Sequence, residues 1–160
     1  YRITRLSSGV AVIKIGAATE DEMVEKKHRV EDALEAVRAA QEEGLVPGGG
    51  VALLRCKNFK IESENEDQIF GANILRKSLE APVRQMSRNC GESEDLILNL
   101  IENEVDNYGY DFRNGKLVDM LENGIIDPAK VTRVALKNAV SVASTLITTN
   151  NAIVEVANES

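Results

Sequence analysis

The sequence predicts a mainly α-helical protein with a few short strands and one β-hairpin. Two segments, starting at Glu20 and Glu66, carry apolar residues at helical spacing. A third segment follows Asp127-Pro128, where an aspartate N-cap and a proline in the first turn would start a long helix. Asn114-Gly115 lies between two short β-prone runs and indicates a hairpin turn.

The first helix is predicted to run from Glu20 to about Glu43. Thr19 is a suitable N-cap, and Glu22 completes a capping-box pattern. Gly44 follows as a C-cap. One face of this helix carries an apolar stripe of Met23, Val30, Leu34 and Val37.

The middle of the chain predicts three more helices. A short one covers 51–56, a long one runs over 66–88 with a bend at Pro82, and a third runs from an N-cap at Ser93 to Ile101. Gly91 marks the stop before the third helix. From Val131 to Ile147 the last helix is apolar or small almost all round, which predicts burial on most sides.

Two segments near the ends of the sequence are predicted to be strands without obvious partners. They are VAVIKI, 10–15, and AIVEV, 152–156, both rich in β-branched residues. Because an isolated strand leaves its backbone groups unpaired, their partners are expected on absent segments or on other subunits.

Composition excludes several classes of function. The net charge of −7 argues against a nucleic-acid groove, and no apolar run approaches the length of a membrane span. Without a signal peptide pattern, we expect a cytoplasmic protein in which Cys56 and Cys90 are small core residues. His28 is the single histidine, so no metal site is expected, and no nucleophile-elbow or Walker motif occurs.

Two features are ambiguous from the residues alone. Gly48, Gly49 and Gly50 precede a helix, where bare N–H groups suit an anionic ligand but where a helix-packing turn is the more frequent explanation. Asp32 lies about 200° round the first helix from Val30, which places it on the outer face. It is expected to be a solvated acid on this evidence.

Long motifs extend the interpretation. The segment KKHRVEDALEAVRAAQEEGLVPGGGVALL resembles the group I (GroEL-type) chaperonins where the intermediate domain joins the equatorial domain. SGVAVIKIGAATE, NEDQ, EAPVRQ, NCGE, NYGYD and GIIDPAKVTR match in the same order. The resemblance implies a C-terminal portion of such a subunit: 1–9 from the apical domain and hinge, 10–43 from the intermediate domain, and 44–160 from the ATP-binding equatorial domain.

The resemblance also implies roles for individual residues. Gly48 and Gly49 would lie against bound ATP, and Asp32 would orient the water that attacks the γ-phosphate. Asp127 would reach the ribose as well as capping the last helix, and Ile125 would line the adenine pocket.

Several positions depart from the family pattern or have a competing explanation. Asp111 and Phe112 stand near the adenine, where the family commonly has asparagine and a small residue. Gly9 would serve as a hinge, although Ser8 replaces the second glycine of the pair. Glu20 resembles an intersubunit salt-bridge residue, and equally suits the first turn of a helix.

The implied parent is an ATP- and Mg²⁺-dependent folding machine. Its partners would be identical subunits in a seven-fold double ring, a co-chaperonin lid and unfolded polypeptides, with no nucleic acid and no membrane. The resemblance places most phosphate and metal ligands on segments that do not occur in this sequence, so no hydrolysis by this chain alone is expected. The alternative is a stand-alone helical interaction module in which the glycines only pack and Asp32 is only solvated.

Overall fold

The computed structural model describes residues 11–154. The chain divides into two compact units, with the boundary between Arg38 and Ala39. The helices are α1 (Glu20–Glu43), α2 (Val51–Arg55), α3 (Glu66–Ser78), α4 (Ala81–Cys90), α5 (Glu94–Glu102) and α6 (Ala129–Ile147), with a 3₁₀ turn at Cys56–Asn58. The strands are β1 (Leu45–Pro47), β2 (Tyr108–Asp111), β3 (Lys116–Asp119) and β4 (Ile126–Pro128). The predicted fold class, mainly α with short strands and a hairpin, is confirmed.

Helix α1 begins and ends as the capping signals predict. The Thr19 hydroxyl accepts a hydrogen bond from the backbone N–H of Glu22 at 3.3 Å, and the Glu22 carboxylate accepts one from Ala18. At the other end Gly44 has φ +82° and donates to the carbonyl of Ala40 at 2.8 Å. The predicted apolar stripe is largely solvent-exposed, with Met23 at 43% and Val37 at 56%.

The hydrophobic core lies in the second unit. Helices α4 and α5 pack together, and α2 and the hairpin also contribute to the core. The largest fully buried apolar side chains are Val51, Leu54, Val83, Ile97, Ile101 and Met120. Each such side chain stabilises the fold by roughly 1.5–3 kcal/mol relative to an exposed position.

Two small antiparallel sheets complete the second unit. Strands β2 and β3 form the predicted hairpin, and Gly115 has the left-handed φ of +67° that its turn requires. Strand β1 pairs with β4, with Leu45 opposite Pro128 and Val46 opposite Asp127. This second pairing was not predicted from the sequence.

Arg55 connects α2 to the segment between α5 and β2. Its guanidinium donates to four backbone carbonyl oxygens, those of Ile101, Val105, Asp106 and Tyr108, at 2.8–3.3 Å. These carbonyls lie in the last turn of α5, in the following loop and at the first residue of β2, and those of Ile101 and Val105 also accept backbone N–H bonds, from Glu104 and Tyr108. Arg55 therefore fixes the entry into the hairpin.

Two predicted features of the helices are wrong. The long helix over 66–88 is two helices, α3 and α4, separated by a turn at Leu79 and Glu80, because Pro82 suits a first helical turn and not an interior. The last helix begins at Ala129 with Pro128 as its N-cap residue, so Asp127 lies one position before the cap, where it pairs with Val46 in β4. Its start is held by Ala129, which donates to Gly44, and by Arg133, which donates to Glu43 at 2.9 Å.

Several burial and strand predictions are also wrong. Helix α6 has no buried residue, and Ile147 is 78% exposed. Cys56 and Cys90 are exposed thiols and not core residues. Residues 11–15 and 152–154 form no strand, because no described segment pairs with them; Val10 and residues 155–156 of these predicted strands lie outside the described residues.

Candidate functional site

A pocket of about 430 Å³ opens in the second unit beside the β2–β3 turn; we call it the hairpin pocket. Its volume falls within the range of small-molecule sites, roughly 300–1,000 Å³. Four of the predicted nucleotide-binding residues line it together: Gly49, Asp111, Phe112 and Ile125. The other lining residues are Met86, Tyr110, Arg113, Asn114, Met120 and Asn123.

The glycine run lies at the edge of this pocket and is held tightly by the fold. Gly48 donates to the carbonyl of Ile125 at 2.9 Å, and a β-carbon on Gly48 would lie 3.0 Å from that oxygen. Gly49 has φ +61°, and its β-carbon would lie 2.8 Å from the terminal methyl of Met120. Gly50 has φ +74°, and its β-carbon would lie 3.1 Å from a methyl carbon of Val83. Packing at Gly48, and both packing and backbone conformation at Gly49 and Gly50, therefore favour glycine whether or not a ligand also approaches.

Aromatic and sulfur-containing side chains form the apolar part of the hairpin pocket. Phe112 is half-buried against the core, and its ring meets Tyr110 edge-on at 5.1 Å between centroids. Such edge-to-face pairs fix the orientation of both rings. The fully buried Met120 lies beneath them, so the pocket has a fixed apolar wall suited to a flat, apolar ligand face.

Asp111 folds back onto the hairpin turn. Its carboxylate accepts from the backbone N–H groups of Arg113 and Asn114 and from the side-chain amide of Asn114 at 2.5 Å. The amide hydrogen bond from Asn114, followed by these backbone bonds, lowers the pKa of Asp111. The carboxylate is consequently ionised at neutral pH and places a negative charge at the rim of the hairpin pocket.

The loop after β3 forms the opposite rim. Asp119 accepts from the backbone N–H groups of Leu121 and Glu122 at 2.9 and 3.0 Å, which holds the loop in a tight turn. Asn123 donates from its side-chain amide to the carbonyl of Asp119 at 2.8 Å. The loop thereby presents Asn123 to the hairpin pocket in a defined orientation.

Asp127 lies in β4, outside the lining of the hairpin pocket. It is half-buried, and burial raises the pKa of its carboxyl group. Among residues 11–154 its carboxylate has no hydrogen-bond or salt-bridge partner. A half-buried carboxylate without a partner is available to a ligand, which is compatible with the predicted ribose contact.

Asp32 lies in the first unit and is exposed on α1, as the helical geometry predicted. It lines a shallow depression of about 420 Å³ together with Asp21, Glu25, His28 and Arg29. Arg29 is paired with Glu25 and is therefore not a charge partner of Asp32. Nothing in the described part of the first unit restrains the Asp32 carboxylate, so a reacting water could approach it.

The remaining predicted residues carry less structural information. Gly9 and Ser8 lie outside the described residues, and Glu20 is the first residue of α1. Within residues 11–154, no three histidine, cysteine or acidic side chains come together as a metal-binding group. None of the helices in this part of the chain is long and apolar enough to cross a membrane.

Sequence reasoning missed the residues that complete the hairpin pocket. Met86 lies within the predicted 66–88 helix and Asn114 in the predicted turn, and neither position indicates a pocket by itself. Met120 and Asn123 had no distinguishing local signal, because they enter the pocket through the fold of the loop and not through a motif.

The profile of the TCP-1/cpn60 chaperonin family matches residues 2–157. The chain belongs to this family. A group III chaperonin crystal structure in the open state is similar over 87% of the chain, with 32% sequence identity and a TM-score of 0.71. An open-state monomer of a group II chaperonin from Methanococcoides burtonii shares the fold over 82% of the chain, with 23% identity and a TM-score of 0.64. The chain spans about a third of the length of these structures, 30% and 35% respectively.

Proposed function

We propose that this chaperonin chain supplies the adenosine side of an ATP site and the acid that positions the attacking water. The observation that carries the proposal is the convergence of Gly49, Asp111, Phe112 and Ile125 on one pocket. The resemblance indicates these residues in three separate segments of the sequence, although Asp111 and Phe112 depart from the family pattern. Family membership favours this function over a stand-alone helical module without a nucleotide role.

The base of the nucleotide occupies the hairpin pocket. The apolar wall of Phe112 and Met120 suits a flat aromatic ring, whereas the ionised Asp111 at the rim repels phosphate. The glycine run lets the backbone approach the nucleotide closely, and Asp127 contacts the ribose. The triphosphate therefore lies outside the hairpin pocket.

Asp32 orients the water for attack on the γ-phosphate. Phosphoryl transfer depends mainly on positioning and charge stabilisation, and a carboxylate that accepts a hydrogen bond from the attacking water contributes to that positioning. Mg²⁺, when bound, would supply charge neutralisation at the phosphates. Its ligands are proposed to lie outside this chain.

The complete protein is proposed to be a cytoplasmic group I chaperonin. The quoted motifs favour group I, with subunits in a seven-fold double ring that encloses unfolded polypeptides beneath a co-chaperonin lid. A refolding assay on the purified complete subunit, with and without a separate lid protein, would distinguish the groups, because a group I ring requires that lid protein for refolding.

The role of Asp32 is tested with Asp32→Ala in the complete subunit that contains this chain. Removing a positioned acid–base group is expected to lower kcat by about 10²–10⁴-fold. The Kd for ATP should change little, because the carboxylate does not hold the nucleotide. Single-turnover hydrolysis and equilibrium binding measure the two quantities separately.

The matched control is Glu31→Ala, which removes the neighbouring exposed carboxylate, paired with Lys27 at 3.5 Å. It should leave both kcat and Kd unchanged. Phe112→Leu should have the opposite effect to Asp32→Ala, raising the Kd for ATP with little change in kcat. Gly49→Val is unsuitable for this purpose, since its positive φ and the contact with Met120 would distort the fold. If Asp32→Ala raises Kd strongly at unchanged kcat, the assignment to water positioning is wrong.

A further inference from the structure

A second cleft in the second unit, of about 500 Å³, is lined by segment 57–60 and by residues of the segment 73–80. Within the part of the chain that the structure describes, its lining contains four cationic side chains and one carboxylate, although the whole chain carries a net charge of −7. We call it the basic cleft; its charged lining residues are Lys57, Lys60, Arg76, Lys77 and Glu80. Positive charge is therefore concentrated at this place on an otherwise acidic chain.

The carboxylate of the basic cleft is already paired. Glu80 accepts hydrogen bonds from Arg84 at 2.9 Å and from Lys57 at 3.4 Å. Lys57 also pairs with Glu102, which lies outside the cleft lining. Because Glu80 and Lys57 are neutralised by these neighbours, the excess positive charge of the cleft lies on its other three cations.

The Arg76 guanidinium is held in place by neutral groups. It donates to the Asn73 side-chain oxygen at 2.8 Å and to the Phe59 carbonyl at 2.5 Å, and its central carbon lies 4.8 Å from the centroid of the Phe59 ring. Arg76 is half-buried, and no carboxylate among residues 11–154 lies within salt-bridge distance of it. Two of the five N–H donors of a guanidinium are used in these bonds, which leaves three for a ligand.

Lys60 and Lys77 place two further cations on the same cleft. Both are exposed, and neither has a salt-bridge partner in the described ranges. A guanidinium fork matches the geometry of a carboxylate or phosphate group, and lysine ammonium groups add charge without a fixed geometry. An arginine that is already oriented loses little freedom when an anion binds to it.

From these contacts we infer that the basic cleft binds a small oxyanion with several negative charges. Arg76 holds one oxyanion group through its fork, while Lys60 and Lys77 neutralise the remaining charge. The volume of the cleft lies within the range of small-molecule sites, roughly 300–1,000 Å³. Among residues 11–154, the basic cleft and the hairpin pocket share no lining residue, so this is a separate site that does not depend on the proposed nucleotide site.

Calorimetric titration of the chain tests the inference, with sodium pyrophosphate and sodium citrate as separate probes in a low-salt buffer without Mg²⁺. At least one of the two anions should bind with a Kd below about 1 mM. Tighter binding of pyrophosphate assigns the cleft to phosphate compounds, and tighter binding of citrate assigns it to polycarboxylates. Added sodium chloride should weaken the binding, because the lysine charges are exposed to solvent.

The double variant Lys60→Met/Lys77→Met removes two exposed charges and keeps the apolar stems. It should raise the Kd of the tighter anion about tenfold, as expected for the loss of two partly exposed ion pairs. The matched control Lys14→Met/Lys137→Met removes the same charge from exposed lysines outside the cleft lining and should leave the Kd unchanged.

Arg76→Lys separates anion recognition from a purely structural role of Arg76. It keeps the positive charge and loses the planar fork, so the Kd should rise about fivefold. If Arg76 only holds the Phe59 segment in place, the variant should lower the urea midpoint of unfolding without changing the Kd of the folded protein.

Three results would overturn the inference. They are a wild-type Kd above about 1 mM for both anions, an equal loss of affinity in the two double lysine variants, and an unchanged Kd in Arg76→Lys. Each would leave the proposed ATPase function intact, since that function is tested separately through Asp32→Ala.

Discussion

Replacing Gly109 with alanine should destabilise the second unit by steric conflict alone. Gly109 lies in β2 opposite Val118, and its φ is not in the left-handed region. An added β-carbon would lie 2.4 Å from a methyl carbon of Val51 and 2.9 Å from the side chain of Met120. Both neighbours are fully buried, so neither can move into solvent.

The expected loss of stability in Gly109→Ala is the difference between two opposing effects. Carbon atoms pack best at roughly 3.5–4.0 Å, and overpacking a closed core costs about 1–3 kcal/mol. The distances here place Gly109→Ala near the upper end of that range. The reduced entropy of the unfolded chain returns about 0.4–1 kcal/mol. We expect a net loss of about 2 kcal/mol, which corresponds to a fall in Tm of roughly 4–8 °C for a chain of this size.

Urea unfolding of the chain, followed by far-ultraviolet circular dichroism, measures the loss. Gly71→Ala is the matched control: Gly71 lies inside α3, and no atom lies within 4 Å of the position that an alanine β-carbon would take, so alanine should stabilise by about 0.5–1 kcal/mol. Combining Gly109→Ala with Val51→Ala should cost less than the sum of the single changes, because the clashing methyl is removed. Unchanged stability of Gly109→Ala, or strict additivity in the double variant, would refute the steric argument.

Two further changes test the hydrogen bonds and the charge of the second unit. Arg55→Met removes the hydrogen bonds to four carbonyl oxygens, of which those of Ile101 and Val105 keep a backbone N–H donor, and should lower the free energy of unfolding by about 2 kcal/mol. Arg113→Met removes an exposed cation and should cost under about 0.5 kcal/mol, so equal urea midpoints for the two variants would contradict this. Asp127→Asn tests the raised pKa of the Asp127 carboxyl group. Because the folded state holds the Asp127 proton more tightly than the unfolded state does, protonation stabilises the fold. This stabilisation is fully present below the unfolded pKa of about 4 and is lost as the pH rises through the folded pKa. The asparagine variant should therefore gain stability over the wild type as pH rises through that window, and a difference independent of pH would show that burial does not perturb Asp127.

The elements predicted correctly depend on a few neighbouring residues. Thr19 and Glu22 form the start of α1 through bonds that span three or four positions, and Gly44 and Gly91 end helices with positive φ. Gly115 supplies the left-handed residue of the hairpin in the same way. Such signals are complete within one turn of chain, so the sequence alone reveals them.

The β1–β4 pairing shows what local signals cannot predict. Asp127-Pro128 is a strong helix-start pattern, yet the two residues pair with Val46 and Leu45 and the helix begins one residue later. Only the folded chain brings these two segments together. Because of this tertiary pairing, Asp127 is a strand residue with a half-buried carboxylate and not the predicted helix cap.

The candidate site likewise contains residues that motifs predict and residues that only the fold reveals. Gly49, Asp111, Phe112 and Ile125 were found through motifs that resemble a family, and the fold places them in one pocket. Asn123 was not predicted, because its place in the pocket lining depends on the hydrogen bond to Asp119 and on the course of the loop after β3. Motifs identify which residues belong together, whereas the geometry shows which other residues complete the pocket.

The contrast between α5 and α6 explains why apolar patterns misjudged burial. Both helices are rich in apolar residues, but α5 packs against α4 and buries Ile97, Leu98 and Ile101, whereas α6 leaves Leu146 67% exposed. A hydrophobic pattern thus indicates that a helix favours burial, and the chain must also supply a surface to bury it. Each large apolar side chain left in water forgoes roughly 1.5–3 kcal/mol. The exposed face of α6 is therefore expected to promote self-association of this chain.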